Sequence, residues 1–261
     1  MLRLLKKSLL LGALPLLAAG AAADPHEPLA TYMVEAIPFA LKEGKSLDDM
    51  MALRTDFAAL AKAEDIQYNA YVLAPHFMSQ SSLPVDGKFD AVWLGFSPNP
   101  SALAASLSAY LKSGKAMEDA FDEVREMNQR WLMRGELVHR SNAPEEEGPG
   151  YAFFSTCRLK EGASRMSHRA AEKAWSEAME KLGASANSHI WYAGQGIPDA
   201  LQGAMIKVRI FESVQAWGDS YTTFIENNMA NSPEWAAMAS QVDCGPIRSY
   251  LGQAFYEREA P

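Results

Sequence analysis

Cysteine is nearly absent: Cys157 and Cys244 are the only two in 261 residues. That excludes a disulfide-dense scaffold and a four-cysteine zinc site. Histidine is also scarce. His26, His76, His139, His168 and His189 lie far apart, and none forms a two-histidine helical metal motif with a carboxylate, so no metal is expected. There is no G-x-S-x-G elbow, no P-loop and no H-E-x-x-H. "GQG" at 194–196 follows a strand but lacks the third glycine of a dinucleotide site, and reads as a turn. No cofactor and no catalytic residue is therefore expected. Positive charge is in deficit too, with 24 Lys and Arg against 32 Asp and Glu, which argues against nucleic acid or an anionic membrane as partner.

The chain starts with basic residues Arg3, Lys6 and Lys7, an apolar run "LLLGALPLLAAG", and small residues "AAA" at 21–23. That order is the pattern of a secretory signal peptide over 1–23, cleaved before Asp24. The expected location is periplasmic or secreted, with no membrane insertion after cleavage. Without those three basic residues, 21 cations face 32 anions, a net charge of −11. A surplus of that kind favours solubility and does not specify a fold.

"LKEGKS" at 41–46 returns as "LKEGAS" at 159–164, 118 positions later. The same offset carries Phe57 to Trp175, Asn69 to Asn187, Val124 to Val242 and Arg130 to Arg248. It fails between about 78 and 115, where "FDAVWLGF" matches "AMIKVRIF" at an offset of 115. The period suits two duplicated domains and is too long for a solenoid. Repeat one is assigned to 24–141, a linker to 142–150 (acidic "NAPEEEGPG", a solvated stretch including Glu145–Glu147) and repeat two to 151–261.

Each repeat reads strand, helix, strand, strand, helices, strand. Repeat one has strands at 31–37, 68–75, 88–96 and near 131–138, with helices at 46–63, 100–112 and 115–128. The helix at 46–63 buries Met50, Leu53, Phe57 and Leu60. The first strand ends at Ile37, because Pro38 removes a ladder donor. Repeat two has strands at 151–159, "SHIWYAG", "AMIKVRIFE" and "RSYLGQAFYE". Its first helix, 164–182, puts Ala171, Ala174, Trp175, Ala178 and Leu182 on one face, with His168 on the polar side. Further helices span 214–228 and 233–242, the latter capped by Ser232 with Pro233 at its first position. The β-α-β-β-α-β order gives an α+β fold of two tandem ferredoxin-like domains. Val72 and Ile190 point to one side of their sheets, and Leu73 and Trp191 to the other. A sheet apolar on both faces needs a second cover, and the sheet of the other repeat supplies it.

In these features the chain resembles the dimeric α/β-barrel superfamily, in which two such sheets face each other; here the pair would be an intramolecular pseudo-dimer. That group includes antibiotic-biosynthesis-type monooxygenases and chlorite-dismutase-like haem proteins. "CRLKEG" with "DCGPIRSY" resembles small exported bacterial proteins of unknown function. The resemblance implies a fold more than an activity. It leaves an enzyme, either cofactor-independent monooxygenase-like or haem-dependent, as the alternative function, with His189 as the haem-ligand candidate.

Cys157 lies on the first strand of repeat two and Cys244 just before the last, its neighbour in a ferredoxin-like sheet. A disulfide between them is expected for an exported chain, worth ~4 kcal/mol in the chain-entropy model. Repeat one has Phe39 and Glu126 at the matching positions. In "IKVRIF" the set Ile206, Val208 and Ile210 is expected to pack on the helices, leaving Lys207 and Arg209 on the barrel side. Tyr71, Leu73, His189 and Trp191 are expected to line that interior too, with Glu35 joining the cations. These residues form a candidate seat for a small organic anion. The leading expectation is thus a non-catalytic small-ligand binding or interaction protein, its protein partner unidentified.

Overall fold

The computed structural model describes residues 31–79, 89–127, 129–142 and 148–258. The expected signal peptide, His26, the loop at 80–88 and Glu145–Glu147 lie outside the described residues. The first half contains β1 (Thr31–Leu41), α1 (Leu47–Ala52), α2 (Arg54–Ala63), β2 (Asn69–Pro75), β3 (Ala91–Ser97), α3 (Pro100–Ser113), α4 (Lys115–Val124), β4 (Arg125–Met127) and β5 (Trp131–His139). The second half contains β6 (Gly150–Leu159), α5 (Arg165–Lys181), β7 (Asn187–Gln195), β8 (Met205–Phe211), α6 (Val214–Glu226), α7 (Pro233–Ala239), β9 (Val242–Cys244) and β10 (Arg248–Tyr256).

The repeated hexapeptide is a strand end, a turn and a helix start. Gly44 and Gly162 take φ of 76° and 79°, the left-handed region where a Cβ is costly. Ser46 and Ser164 then cap α1 and α5, each through a reciprocal capping box. The repeated asparagines have a matching job. Asn69 Oδ1 accepts the Arg258 N–H at 2.8 Å, and Asn187 Oδ1 accepts the Ser141 N–H at 3.0 Å. Each therefore ties down the chain leaving the last strand of the opposite half.

In the first half the strands run β2-β3-β1-β5, and in the second β7-β8-β6-β10. Both are the ferredoxin-like order. β5 then pairs β7, and β10 pairs β2, all antiparallel, so the two sheets close into one barrel with no open edge among its eight long strands. The interior is packed: Val34, Leu73, Leu94, Met133, Phe154, Trp191 and Val208 belong to one buried cluster. A pocket among these side chains holds only about 50 Å³.

The register corrects several expectations. β1 runs through Pro38 because that residue falls where the β5 pairing has ended, at Ala36, and the β4 pairing has not begun, at Phe39. No ladder N–H is needed there. The helix read over 46–63 breaks at Leu53, and those read to 128 and 242 stop early to form β4 and β9. β7 runs to Gln195 with a bulge, so Gly194 and Gln195 belong to the strand and the turn begins only at Gly196. Val34 pairs Phe96 where Ala152 pairs Ile210, which makes the β3-to-β8 offset 114 and not 115. Likewise the Phe39–Met127 pair matches Cys157–Cys244, so Met127, not Glu126, is the counterpart of Cys244.

Candidate functional site

The free volume lies outside the barrel, between the second-half sheet and its helices. A cavity of about 680 Å³ is bounded by β6, β8 and β10 below and by α5, α6 and α7 above. Trp217, Tyr221 and Phe224 recur on α6 at spacings of four and three, which puts them on one face. Their rings stack in series, with centroids 5.9 and 6.0 Å apart and planes within 13° and 8°. Trp235 of α7 meets Phe224 at 5.6 Å and Trp175 of α5 at 5.1 Å. Phe153 and Phe211 contribute from the sheet.

Among its described residues the first half is filled where the second is open. There Phe57, Trp93, Phe121 and Phe255 touch one another at 4.8–6.2 Å between ring centroids, leaving about 60 Å³. The strand register explains the difference. Trp93 corresponds to Lys207, and Tyr68, just before β2, corresponds to Ala186, just before β7. Two large rings of the solid half are thus an alanine and a lysine in the open half, and Ala186 and Lys207 both line the cavity.

Lys207 and Arg209 are the only charged residues lining it among the described residues. Both reach the same carboxylate on α5: Lys207 Nζ lies 2.7 Å from Glu172 Oε2, and Arg209 Nη2 lies 2.8 Å from Glu172 Oε1. Burial alone would raise the Glu172 carboxyl, but Arg209 and Lys207 outweigh it and hold it at about 2. Burial in turn keeps Lys207 below the usual lysine range despite Glu172 beside it. Lys207 Nζ also donates to Met238 Sδ at 3.0 Å, and the Arg209 guanidinium sits 5.6 Å from the Trp175 ring. With one carboxylate between two cations, the cluster carries one excess positive charge. One turn earlier on α5, His168 is fully buried with both ring nitrogens unpartnered, and burial pushes it down to about 4.

The sequence expectation for the site was therefore partly misplaced. Leu73 and Trp191 do lie in the barrel interior, and Tyr71 packs against them. His189 is there as well. Trp191 Nε1 donates to Tyr32 Oη at 2.9 Å, and that hydroxyl is hydrogen-bonded to His189 Nδ1 at 2.7 Å. Burial, with the Arg140 charge, lowers His189 to about 4, so it is a neutral, hydrogen-bonded packing residue. Lys207 and Arg209, however, face the helices. The register sets Val208 against His189 and Ile206 against Trp191, so the apolar set of β8 looks inward. Glu35 also faces the helices, in the other half. It accepts from Tyr68 Oη at 2.6 Å and pairs with Arg130. It is thus in a different compartment from Lys207 and Arg209.

On α5 the buried stripe is His168, Glu172, Trp175, Ser176 and Met179, whereas Ala174 and Leu182 are exposed. The spacing 168–172–175–179 was a legible signal. Its histidine and glutamate made it read as the polar face.

No protein-family model matches the chain, and no curated protein matches it by sequence. Solved structures do. A provisional monooxygenase from Fusobacterium nucleatum covers 87% of this chain and 94% of its own, at 8% identity and a TM-score of 0.52. One from Lactobacillus acidophilus covers 87% and 95%, at 7% identity and the same TM-score. A chlorite dismutase variant from Candidatus Nitrospira defluvii covers 88% and 93%, at 10% identity and a TM-score of 0.49. The fold is that of the dimeric α/β barrels. In this dimeric α/β barrel both sheets come from one chain, and at such identities the likeness concerns the fold alone.

Proposed function

We propose that the protein is an exported binding protein for a small organic anion with a flat, apolar body, held in the second-half cavity. The observation that carries this reading is a cavity of about 680 Å³, walled by aromatic rings, whose lining charges among the described residues are Lys207 and Arg209 alone. Ligand sites commonly occupy ~300–1,000 Å³ and combine apolar walls with a few placed polar groups. The single excess positive charge favours a monoanion, because an uncompensated buried cation is costly. The disulfide and the leader-like start of the chain support export. No helix among the described residues is long and apolar enough to cross a membrane.

A haem group fits this cavity poorly. Its iron would need an axial His, Met, Cys or Tyr. No histidine lines the cavity among the described residues, and His168 is enclosed behind it. Met238 Sδ is engaged by Lys207, both cysteines are bonded to each other, the Tyr151 hydroxyl is hydrogen-bonded to Ser249 and His76, and the Tyr221 ring is stacked between Trp217 and Phe224. His189 is hydrogen-bonded inside the barrel.

Fluorescence titration with 1-anilinonaphthalene-8-sulfonate, a flat apolar monoanion, tests the reading against uncharged N-phenyl-1-naphthylamine. Saturable one-to-one binding of the anion is expected. Lys207→Met, which keeps the Glu172–Arg209 pair, should weaken it about tenfold, a loss of ~1.4 kcal/mol. The neutral probe should be unaffected. Absence of saturable binding defeats the cavity reading, and equal behaviour of the two probes defeats its anionic part.

A further inference from the structure

The geometry points to a proton relay, Ser249–Tyr151–His76, that leads from the cavity to solvent and takes a proton from the bound ligand. The ligand class is then an aromatic hydroxy acid. This rests on the cavity being the ligand site.

Ser249 of β10 and Tyr151 of β6 both line the cavity and are 3% and 1% exposed. Tyr151 Oη donates to Ser249 Oγ at 2.9 Å and lies 2.9 Å from His76 Nδ1. His76 follows β2 in the other half and is exposed. The backbone fixes this meeting point. His76 N–H donates to Ser249 O at 2.9 Å, Ser249 N–H to Phe77 O at 3.0 Å, and Phe77 N–H to Ser249 Oγ at 3.1 Å. The chain of hydroxyls therefore starts at the cavity wall and ends at an imidazole in contact with water.

Hydroxyl hydrogens rotate; turning the Tyr151 hydrogen from Ser249 Oγ to His76 Nδ1, and the Ser249 hydrogen to Tyr151 Oη, sets the chain for transfer in one step. A ligand O–H donates its proton to Ser249 Oγ as Ser249 passes its own to Tyr151 Oη. Tyr151 passes its proton to His76 Nδ1, and the imidazolium gives up its Nε2 proton to water. The ligand oxygen keeps the electron pair, and no redox partner is needed. The sheet sets the length of the ligand. Ser249 pairs with Phe153, which pairs with Arg209. At ~4.8 Å per strand, the Ser249 and Arg209 backbones are about 10 Å apart along this row, with the Phe153 ring between them. A two-ring aromatic acid with a distal hydroxyl spans that distance.

The probe is 6-hydroxy-2-naphthoate, a photoacid that emits as naphtholate only when an acceptor takes its proton in the excited state. 2-Naphthoate, which has no hydroxyl, reports binding alone. On wild-type protein both should bind, and the hydroxy probe should emit as naphtholate. Tyr151→Phe, read at saturating probe, should lower the naphtholate-to-naphthol emission ratio at least ~tenfold. His76→Gln, at an exposed position outside the cavity lining and able to hydrogen-bond Tyr151 without accepting a proton, should do the same with 2-naphthoate affinity held within about twofold. Failure of both probes to bind overturns the cavity reading. Binding with naphthol emission alone in the wild type, or naphtholate emission that survives both variants, overturns the relay.

Discussion

Glu172 carries the electrostatics of the open half, and its burial was the hardest fact to read from sequence. A glutamate on a helix normally marks the solvent face. Here two cations crossing from β8 make burial tolerable, and only the strand register reveals that they point that way. The two buried histidines have a consequence that bulk stability can report. His168 and His189 both sit at about 4 in the folded protein, against about 6.5 when unfolded. The unfolded chain thus binds more protons between those values. Their contribution is fully present above pH 6.5 and is lost as pH falls toward 4. Urea melts at pH 7 and 5 should differ by about 2 kcal/mol for each histidine, roughly 4 kcal/mol for the pair, the less stable being pH 5. His168→Gln or His189→Gln should flatten that slope. An unchanged slope in both variants would show that neither histidine is kept neutral by the fold.

At the scale of elements, short motifs were legible wherever backbone geometry demands particular residues. The Lys-Glu-Gly-x-Ser stretch reads directly as strand end, left-handed glycine and helix cap. Offsets were less secure, because a one-residue slip in a strand exchanges its two faces. The slip from 114 to 115 between β3 and β8 makes Trp93 the counterpart of Val208 when it is that of Lys207. The disulfide needed only the order of elements, and Cys157 and Cys244 face each other across β6 and β9. Thiol labelling of the oxidised, denatured protein should find no free cysteine, and reduction should release two. Replacing both by serine should cost ~4 kcal/mol in a denaturant melt, by loss of the closed loop in the unfolded chain. A loss below ~1 kcal/mol would mean that β9 is held by its other contacts.

For the whole molecule, the informative feature is unequal use of a duplicated frame. Both halves share strand order, caps and seam asparagines, yet one is solid and the other hollow. Ala186→Tyr copies Tyr68 into the hollow half. It should cut naphthalenesulfonate affinity at least ~tenfold and leave the melting temperature unchanged or higher, since it adds apolar contact to a void. Undiminished affinity with a lowered melting temperature would show that the void and the binding site are different places.

The sequence by itself determined the duplication, the element order, the closure of two sheets on each other and the cysteine pair. These depend on period, local backbone demands and the need to cover a sheet apolar on both faces. It did not determine which residues share a compartment. Alternation along a strand names two faces without saying which one meets the helices, and Ile206-Val208-Ile210 suits either. Only the closed barrel decides. Once eight strands ring a filled interior, the inward set must be the apolar one. Lys207 and Arg209 are then turned outward to Glu172, and the open volume falls beneath the helices, where Ala186 leaves the space that Tyr68 fills in the other half.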